Sequence, residues 1–299
     1  MEKFYSNGKL LISGEYCVLE GALSFALPTK FGQSLEVSVL DSPVIIWESF
    51  SVFNELWFQA EIKISELSKK SDNPMVATLK EILSTAQKLN PEFLNDGNGA
   101  FIQTFLSFPN NWGLGTSSTL INNIASWAKV DAFTLLKKSF GGSGYDIACA
   151  QNDTPIYYQL KNDQVKVTSA LFEKVFLDNL FFVYLNEKQD SKEGIKKYKS
   201  LSVNKEPYIE QVSEISKKIV GVNTLKEFEL LLDKHEIIIG DLLDIEPVKK
   251  RLFPDYFGSI KSLGAWGGDF ILVTGNDTTP AYFFEKGFET VIPYKEMIL

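Results

Sequence analysis

The feature that most constrains the fold of this sequence is a junction at residues 111–128, where a glycine-containing stretch runs into an apolar pattern. Two glycines flank a leucine and are followed by three consecutive hydroxyl residues. Apolar residues then recur at spacings of one, three and four, which is one face of an α-helix. The preceding segment, 100–106, has the pattern of a strand. The sequence therefore predicts a strand, a glycine loop and a helix that begins near Thr116.

A loop in this position is suited to binding an anion. The first turn of a helix carries backbone N–H groups without intrahelical partners, and its aligned peptide dipoles make that end partly positive. Gly113 and Gly115 lack a Cβ, so the backbone can come close to a bound phosphate, and the hydroxyl residues can contact phosphate oxygen or a magnesium ion. An ordinary helix start explains the same residues, because serine and threonine are good N-caps and glycine is common in loops.

Composition and charge argue against several classes of function. The chain has 299 residues, of which 44% are hydrophobic and 23% charged, as in a globular protein with one large or two ordinary domains, and we expect two. A net charge of -8, with no long basic run, argues against nucleic acid as a partner. No apolar run approaches the roughly 18–20 residues of a membrane span. We therefore expect a cytoplasmic protein that binds a small molecule and no membrane.

Cysteine and histidine are too scarce to support most hydrolase chemistry. Cys17 lies in a strand-like apolar context and Cys149 in a helix-like one, which favours buried free thiols over a disulfide or a nucleophile. The single histidine, His235, lies in a helix-like segment and has no clear catalytic neighbours in sequence. A Ser-His-Asp triad or a histidine-rich metal site would have to be built on that one residue.

Strand and helix signals alternate irregularly along the chain, which predicts an α+β fold. Strand signals occur at 10–19, 34–40, 44–50, 52–64, 100–106, 154–160, 164–170, 180–187, 259–275 and 290–294. Besides the helix after the glycine loop, helices are predicted near 74–89, 133–139, 192–199, 207–220 and 224–243. Asp72 or Asn73 is the expected cap of the first, with Pro74 at its first position. The domains are expected to be 1–165 and 166–299, with an approximate boundary.

Two further stretches, 7–21 and 262–275, combine glycines with polar residues. With the central loop they resemble the three motifs of the GHMP kinases, the small-molecule kinases named for galactokinase, homoserine, mevalonate and phosphomevalonate kinases. The matching residues are Gly8-Lys9 with Gly14-Glu15-Tyr16, Gly113-Leu114-Gly115-Thr116-Ser117, and Gly264-Ala265-Trp266-Gly267-Gly268-Asp269. Tyr16, the Leu-Glu-Gly after it and Asp269 are most similar to the phosphomevalonate kinase branch. Residues 144–148, Gly-Tyr-Asp-Ile-Ala, match a bacterial subgroup named for that string.

This resemblance implies a two-domain fold with an N-terminal domain like ribosomal protein S5 domain 2 and a C-terminal ferredoxin-like domain. It also implies an ATP- and Mg²⁺-dependent phosphotransferase acting on mevalonate, phosphomevalonate or a similar small acid, as a monomer or homodimer. By the same resemblance, the ATP phosphates are held by Gly113, Leu114, Gly115, Thr116, Ser117 and Ser118. The position of Ser117 is the one that can hold magnesium.

The catalytic residues implied by the resemblance are Lys9 and Asp146. Asp146 stands where mevalonate-type kinases carry a catalytic aspartate, so it is a candidate general base or a group that orients the acceptor. Simple capping of a turn explains the same residue. Lys9 would stabilise negative charge on the acceptor oxygen during transfer, and the alternative is a solvated lysine.

The acceptor is expected to be an anion bound partly by Lys188 and Ser191. These residues leave a buried strand and enter a helix, so the helix N–H groups and Lys188 could face a carboxylate or phosphate. A solvated, capped helix start is the alternative. The further expected substrate contacts, from the first and third motifs, are Glu15, Tyr16, Gly264, Ala265, Gly267 and Gly268.

Three positions depart from the family pattern. Asn7 replaces a proline in the first motif, Trp266 replaces a glycine in the third, and Leu135 stands where mevalonate kinases carry a metal-binding glutamate. Phosphomevalonate kinases also lack that glutamate, so Leu135 favours that branch or a magnesium ion held mainly by Ser117, ATP and water. A diphosphomevalonate decarboxylase-like enzyme and a non-catalytic nucleotide-binding relative remain alternatives, although retention of Lys9 and Asp146 argues against the second.

Overall fold

The computed structural model of the protein describes residues 1–189, 191–266 and 268–299. These residues form two compact units, each discontinuous in sequence. Unit 1 comprises Met1–Gly8, Phe31–Asn110 and Leu114–Gln151, and unit 2 comprises Lys9–Lys30, Asn111–Gly113 and Asn152–Leu299. The domain limits expected from the sequence, 1–165 and 166–299, stay a prediction.

Strands and helices both occur throughout the chain. The strands are β1 Glu2–Ser13, β2 Ser24–Leu40, β3 Val44–Phe50, β4 Leu56–Lys63, β5 Gly99–Leu106, β6 Ile156–Lys161, β7 Gln164–Ser169, β8 Leu180–Tyr184, β9 Ile260–Ser262, β10 Phe270–Thr274 and β11 Val291–Pro293. The α-helices are α1 Pro74–Leu89, α2 Thr116–Ala128, α3 Ala132–Ser139, α4 Tyr145–Ala150, α5 Ser191–Ser200, α6 Glu206–Gly221, α7 Leu225–Leu243, α8 Val248–Leu252, α9 Thr279–Glu285 and α10 Tyr294–Met297. Short 3₁₀-helices cover Cys17–Glu20, Ile64–Glu66 and Leu177–Asn179.

Unit 1 combines a mixed sheet with a group of helices around one apolar core. β3 pairs antiparallel with β4 and parallel with β5, and β5 pairs antiparallel with residues 33–40 of β2. Burial alternates along β3, as expected for a strand with one face on a core. The core includes Trp47 and Ile102 from the strands and Leu83 and Ile124 from α1 and α2. Helix α2, which follows the glycine loop, packs against α1, α3 and α4.

Unit 2 contains an antiparallel sheet in the order β11-β8-β10-β9. Every residue of β8 and of β10 is buried, which explains why these strands are continuous apolar runs in the sequence. Helix α7 packs against α6 and β9. A second pairing joins residues 24–26 of β2 with β6, and β6 with β7.

Local sequence signals locate several helices well. Asn73 caps α1, because its side chain accepts hydrogen bonds from Met75 N and Val76 N, and Pro74 is the first helical residue as predicted. Helix α2 begins at Thr116, also as predicted. Thr224 and Glu227 form a capping box that begins α7. No helix among the described residues has the length and apolarity needed to span a membrane.

The strand predicted over 10–19 is partly wrong. β1 ends at Ser13, and Gly14 has φ +113°, which lies outside the extended region. Val18 N then bonds to Gly14 O, and the 3₁₀-helix Cys17–Glu20 follows. Cys17 therefore lies in a short helix and not in a strand. The prediction that Cys17 and Cys149 are buried free thiols is confirmed.

Candidate functional site

Residues from all three glycine motifs contact one another within unit 2. Lys9, on β1, donates a hydrogen bond from Nζ to Gly113 O over 2.7 Å. Gly113 lies against the carboxyl group of Asp269, which ends the third motif. The hydroxyl of Tyr16, in the first motif, donates to Ala265 O of the third over 2.7 Å. Residues separated by 104 and 249 positions in sequence are thus joined by direct hydrogen bonds.

Gly113 occupies a position that only glycine fits. Its φ is +69°, in the left-handed region. A Cβ built on it would lie 2.5 Å from Asp269 Cγ and 2.7 Å from each carboxyl oxygen. The sequence predicted that a bound phosphate approaches this glycine closely. On the side of Gly113 where a Cβ would lie, the group that does so is the carboxyl group of Asp269.

The remainder of the glycine loop, in unit 1, leads into the N-terminus of α2. Gly115 is the N-cap with φ 99°, and no side chain caps the helix. Ser117 is exposed, whereas Ser118 is buried and its hydroxyl donates to Gly115 O over 2.9 Å. Leu114 is fully buried, so the residues of the loop that a ligand can reach are its neighbours Gly115, Thr116 and Ser117. A helix N-terminus without a side-chain cap, preceded by glycines and carrying an exposed hydroxyl, fits the phosphate and magnesium site expected here.

The metal expected at this site would rely on few protein ligands. Among the described residues, no group of three or more histidine, cysteine, aspartate or glutamate side chains is placed to hold a metal ion. Leu135 is fully buried in the apolar core of unit 1, so its position contributes no ligand. Magnesium commonly keeps several waters and binds one or two protein oxygens with substrate phosphates, which Ser117 fits.

Asp146 lies in the first turn of α4, after the N-cap Gly144 with φ 88°. It is half-buried, and its Oδ1 accepts a hydrogen bond from Ile147 N over 3.0 Å. Gln151, the C-cap residue after α4, donates from its side chain to Asn122 Oδ1 of α2 over 2.9 Å. The local bond to Ile147 is the capping contact proposed as the simpler explanation of Asp146, and its catalytic role stays a prediction.

The third motif is held against the segment that carries Lys188. Asp269 N donates to Glu187 O over 2.6 Å, and Leu185 N donates to Asp269 O over 2.8 Å. A Cβ on Gly268 would lie 2.6 Å from Glu187 O, so this position also requires glycine. Lys188 is exposed, and Ser191 is the first residue of α5. Gly264 has φ +65° and Ala265 is half-buried, while Gly267 lies outside the described residues.

Asp269 is a further functional candidate, although in the sequence it indicates only a similarity to one kinase branch. Burial raises the pKa of its carboxyl group, and the charges of Lys9 and Lys188 act in the opposite direction. An acidic residue directly after a glycine motif was the available signal. Trp266, the departure in the same motif, has φ 58° and is buried, with its ring close to Gly240 of α7.

Glu15, an expected substrate contact, belongs to a buried ionic cluster in unit 2. Lys261 Nζ donates to Glu15 Oε1 and lies 3.4 Å from Glu236 Oε1. Glu236 also accepts from Ser262 N over 2.9 Å. His235 Nε2 lies 3.2 Å from Glu15 Oε2. The structure thus places the Glu15 carboxyl group among protein partners at 1% exposure, and its contact with a substrate stays a prediction.

Burial determines the ionisation of this cluster, which we call the Glu15 cluster. It raises the pKa of Glu15, and it raises the pKa of Glu236 to about 7. It lowers the pKa of His235 well below its usual value, and Lys261 lowers it further. Gly14 N donates to His235 Nε2 over 3.2 Å, which agrees with a neutral imidazole. Sequence reasoning missed these partners because Gly14 and His235 are separated by 221 positions.

Tyr16 links the third motif to α5. Its ring stacks on that of Tyr198, with centroids 5.4 Å apart, and burial raises the pKa of its hydroxyl to about 12. Gly194 lies so close to the Tyr16 hydroxyl that any Cβ at that position would clash with it. The phenol therefore remains neutral and acts as a donor to Ala265 while supporting the helix that begins at Ser191.

Solved structures share this fold, although no protein-family model and no curated protein sequence matches the chain significantly. Mevalonate kinase of Methanococcus jannaschii superposes with a TM-score of 0.71 at 16% identity, covering 95% of this chain and 94% of that one. Streptococcus pneumoniae phosphomevalonate kinase in complex with phosphomevalonate and AMPPNP gives 0.70 at 16% identity, covering 96% of both chains. Lactococcus lactis galactokinase complexed with galactose gives 0.66 at 12%, covering 96% and 88%. The expected α+β, two-domain GHMP kinase fold is confirmed.

Proposed function

We propose that this chain is an ATP-dependent kinase of the GHMP superfamily that phosphorylates a small anionic acceptor, mevalonate or phosphomevalonate in the first instance. A shared fold does not establish a reaction, so the proposal depends on the site. The observation that carries it is the meeting of Lys9, Gly113 and Asp269, one residue from each glycine motif, within unit 2. Retention of Lys9 and Asp146 argues against a purely nucleotide-binding relative, which has no need of the pair.

The nucleotide would be held by main-chain groups. The uncapped N-terminus of α2 and the glycine loop offer N–H groups to phosphate oxygens, and Ser117 offers an exposed hydroxyl to magnesium. When bound, ATP supplies the phosphoryl group and Mg²⁺ neutralises its charge. Lys9 stabilises the negative charge of the acceptor oxygen, and Asp146 accepts its proton or orients it.

The acceptor would be recognised by its charge. The charges of Lys9 and Lys188 both lower the pKa of Asp269, which supports a cationic environment for an anion in this part of unit 2. Ser191 begins α5, whose N–H groups can add to the binding of an anion. Because the Tyr16 hydroxyl already donates to Ala265, its role is to hold the third motif and α5.

A coupled ADP-release screen tests the proposal across mevalonate, phosphomevalonate, homoserine, galactose and related sugars. We expect turnover with mevalonate or phosphomevalonate and none with homoserine or galactose. Adding mevalonate diphosphate and measuring CO₂ distinguishes a decarboxylase, which alone releases it. ATP binding without turnover on any acceptor would indicate a non-catalytic relative, and galactose as the best substrate would contradict an anionic acceptor.

Replacing Gly115 with valine and Ser117 with alanine should strongly weaken magnesium-ATP binding. The first change puts a branched Cβ at φ 99°, where the backbone must approach phosphate, and the second removes an oxygen ligand. Isothermal titration calorimetry measures the affinity. The matched control is Gly221→Val with Ser200→Ala, since both residues are exposed and a Cβ on Gly221 meets open space. If the double variant unfolds, Ser117→Ala is titrated alone. Unchanged magnesium-ATP affinity in a folded variant would show that the loop is not part of the nucleotide site.

Replacing Lys188 with methionine should raise the KM for the acceptor by roughly ten-fold or more, the effect of ~1.4 kcal/mol, and leave the KM for ATP nearly unchanged. The substitution removes a cation and retains most of the chain length. Steady-state kinetics with each substrate varied in turn gives both constants. Lys196→Met makes the same charge change on an exposed residue further along α5 and should move neither constant. An unchanged acceptor KM in Lys188→Met would contradict this assignment.

A further inference from the structure

Asp269 is held in an unusual backbone conformation. Its φ of 54° lies in the left-handed region, which residues other than glycine seldom adopt, although aspartate and asparagine do so more often than most. Its N–H and C=O are bonded to Glu187 O and Leu185 N, so the main chain is restrained on both sides. Backbone strain of this kind persists where the surrounding structure fixes it, and it is frequent at functional sites.

The side chain of Asp269 is aimed at the glycine that Lys9 contacts. Its Oδ1 accepts from Gln189 N over 3.3 Å, which orients the carboxyl group. A Cβ on Gly113 would lie 2.7 Å from both carboxyl oxygens, so the carboxyl group faces the Gly113 α-carbon directly. The carbonyl of the same glycine accepts from Lys9 Nζ. One glycine thus separates a buried carboxyl group from the ammonium group proposed to act in transfer.

We propose that Asp269 is a positioning residue that holds the Lys9 side chain in place for phosphoryl transfer, with Gly113 as the surface between the two groups. The catalytic part of this inference rests on the proposed kinase function. The electrostatic part, an interaction between Asp269 and Lys9 in the free protein, does not. The two parts therefore call for separate measurements.

The charges around Asp269 agree with this role. Lys9 and Lys188 both stabilise its ionised form, against the effect of burial, which raises its pKa. Tyr16 and Tyr184 face Asp269 as neutral groups, because burial raises the pKa values of their hydroxyls and the charge of Asp269 raises them further. The pKa of Asp269 is raised above the ordinary aspartate value of 3.8. As the pH falls, Asp269 therefore becomes protonated at a higher pH than an exposed aspartate would, and its attraction for Lys9 is lost at that point.

The electrostatic part is tested by trace acetylation of the free protein with acetic anhydride, followed by mass spectrometry of each lysine. The variant used is Asp269→Asn. Asparagine preserves the shape of the side chain, its Oδ1 can still accept the hydrogen bond from Gln189 N, and it tolerates a positive φ. Without the carboxylate the attraction that helps to hold the Lys9 ammonium group at Gly113 O is lost and the amine is more accessible to the reagent, so we expect its acetylation to increase roughly three-fold or more. The matched control is Asp255→Asn, which removes the partner of Lys286 and should increase the acetylation of Lys286 alone.

The catalytic part is tested on the acceptor found in the screen. We expect Asp269→Asn to lower kcat by roughly ten-fold, the effect of a misplaced catalytic group, with the KM for ATP unchanged. We also expect it to flatten the fall of kcat towards acid pH. Unchanged acetylation of Lys9 overturns the inference even if the wild type is an active kinase, and increased acetylation with unchanged kcat overturns the positioning role. If the wild-type protein turns over no acceptor, the proposed function and the catalytic part of this inference are both contradicted. The electrostatic part is still decided by the acetylation of Lys9.

Discussion

Asp146→Asn should lose phosphoryl transfer by about 10²–10⁴-fold while keeping the fold and ATP binding, as is typical when a general base is removed. In the structure, Asp146 Oδ1 accepts from Ile147 N in the first turn of α4. An asparagine can keep that bond, because its side-chain carbonyl is also an acceptor, but it cannot take up the proton of the acceptor hydroxyl. The substitution therefore separates the capping role of Asp146 from its proposed catalytic role.

The measurements are kcat on the acceptor found in the screen and the affinity for ATP by calorimetry. Asp72→Asn is the matched control, since it makes the same change at an exposed residue before α1 and should leave kcat unaltered. Turnover like that of the wild type in Asp146→Asn would refute the assignment. The loss should be smaller if the acceptor is itself a phosphate, because its second ionisation lies near pH ~6 and little base assistance is needed.

Lys261→Met should lower the free energy of unfolding by about 3–5 kcal/mol, the usual cost of removing one partner of a buried ion pair. Lys261 is fully buried, donates to Glu15 and lies 3.4 Å from Glu236. Methionine fills a similar volume but leaves two buried carboxyl groups without their cation. Denaturation in guanidinium chloride measures the change. Lys286→Met, which breaks the exposed pair with Asp255, should cost only about 0–1 kcal/mol.

The pH dependence gives this prediction a second readout. In the wild type the pKa of Glu236 is raised to about 7, above its unfolded value of 4.5, so the stability that this group contributes is lost as pH rises through 7. Without Lys261 the carboxyl pKa values rise further, and the difference from the wild type should be larger at pH 8 than at pH 5.5. Adding Glu15→Gln should recover part of the loss. A Lys261→Met variant as stable as Lys286→Met at pH 8 would contradict the role given to the Glu15 cluster.

The sequence by itself determined the features that depend on neighbouring residues. The start of α2 at Thr116 and the start of α1 at Pro74, with Asp72 or Asn73 as its cap, follow from apolar periodicity and capping chemistry, which act within a few positions of the chain; the structure selects Asn73. The three glycine motifs pointed to the GHMP kinase fold because their order is specific even though their partners are distant. The strand prediction over 10–19 failed after Ser13, because Gly14, with φ +113°, turns the chain away from the strand.

Only the tertiary structure decided which charged and polar groups meet. Glu15 and Lys261 are 246 positions apart, and Lys9 and Gly113 are 104 apart, so no local pattern could pair them. His235, without catalytic neighbours in sequence, proved to be a neutral member of the Glu15 cluster. Asp269, in sequence a mark of one kinase branch, lies against Gly113 beside the proposed catalytic lysine. The physical reason is that periodicity reports which side of an element is buried, whereas the partner of a buried charge depends on how distant elements pack.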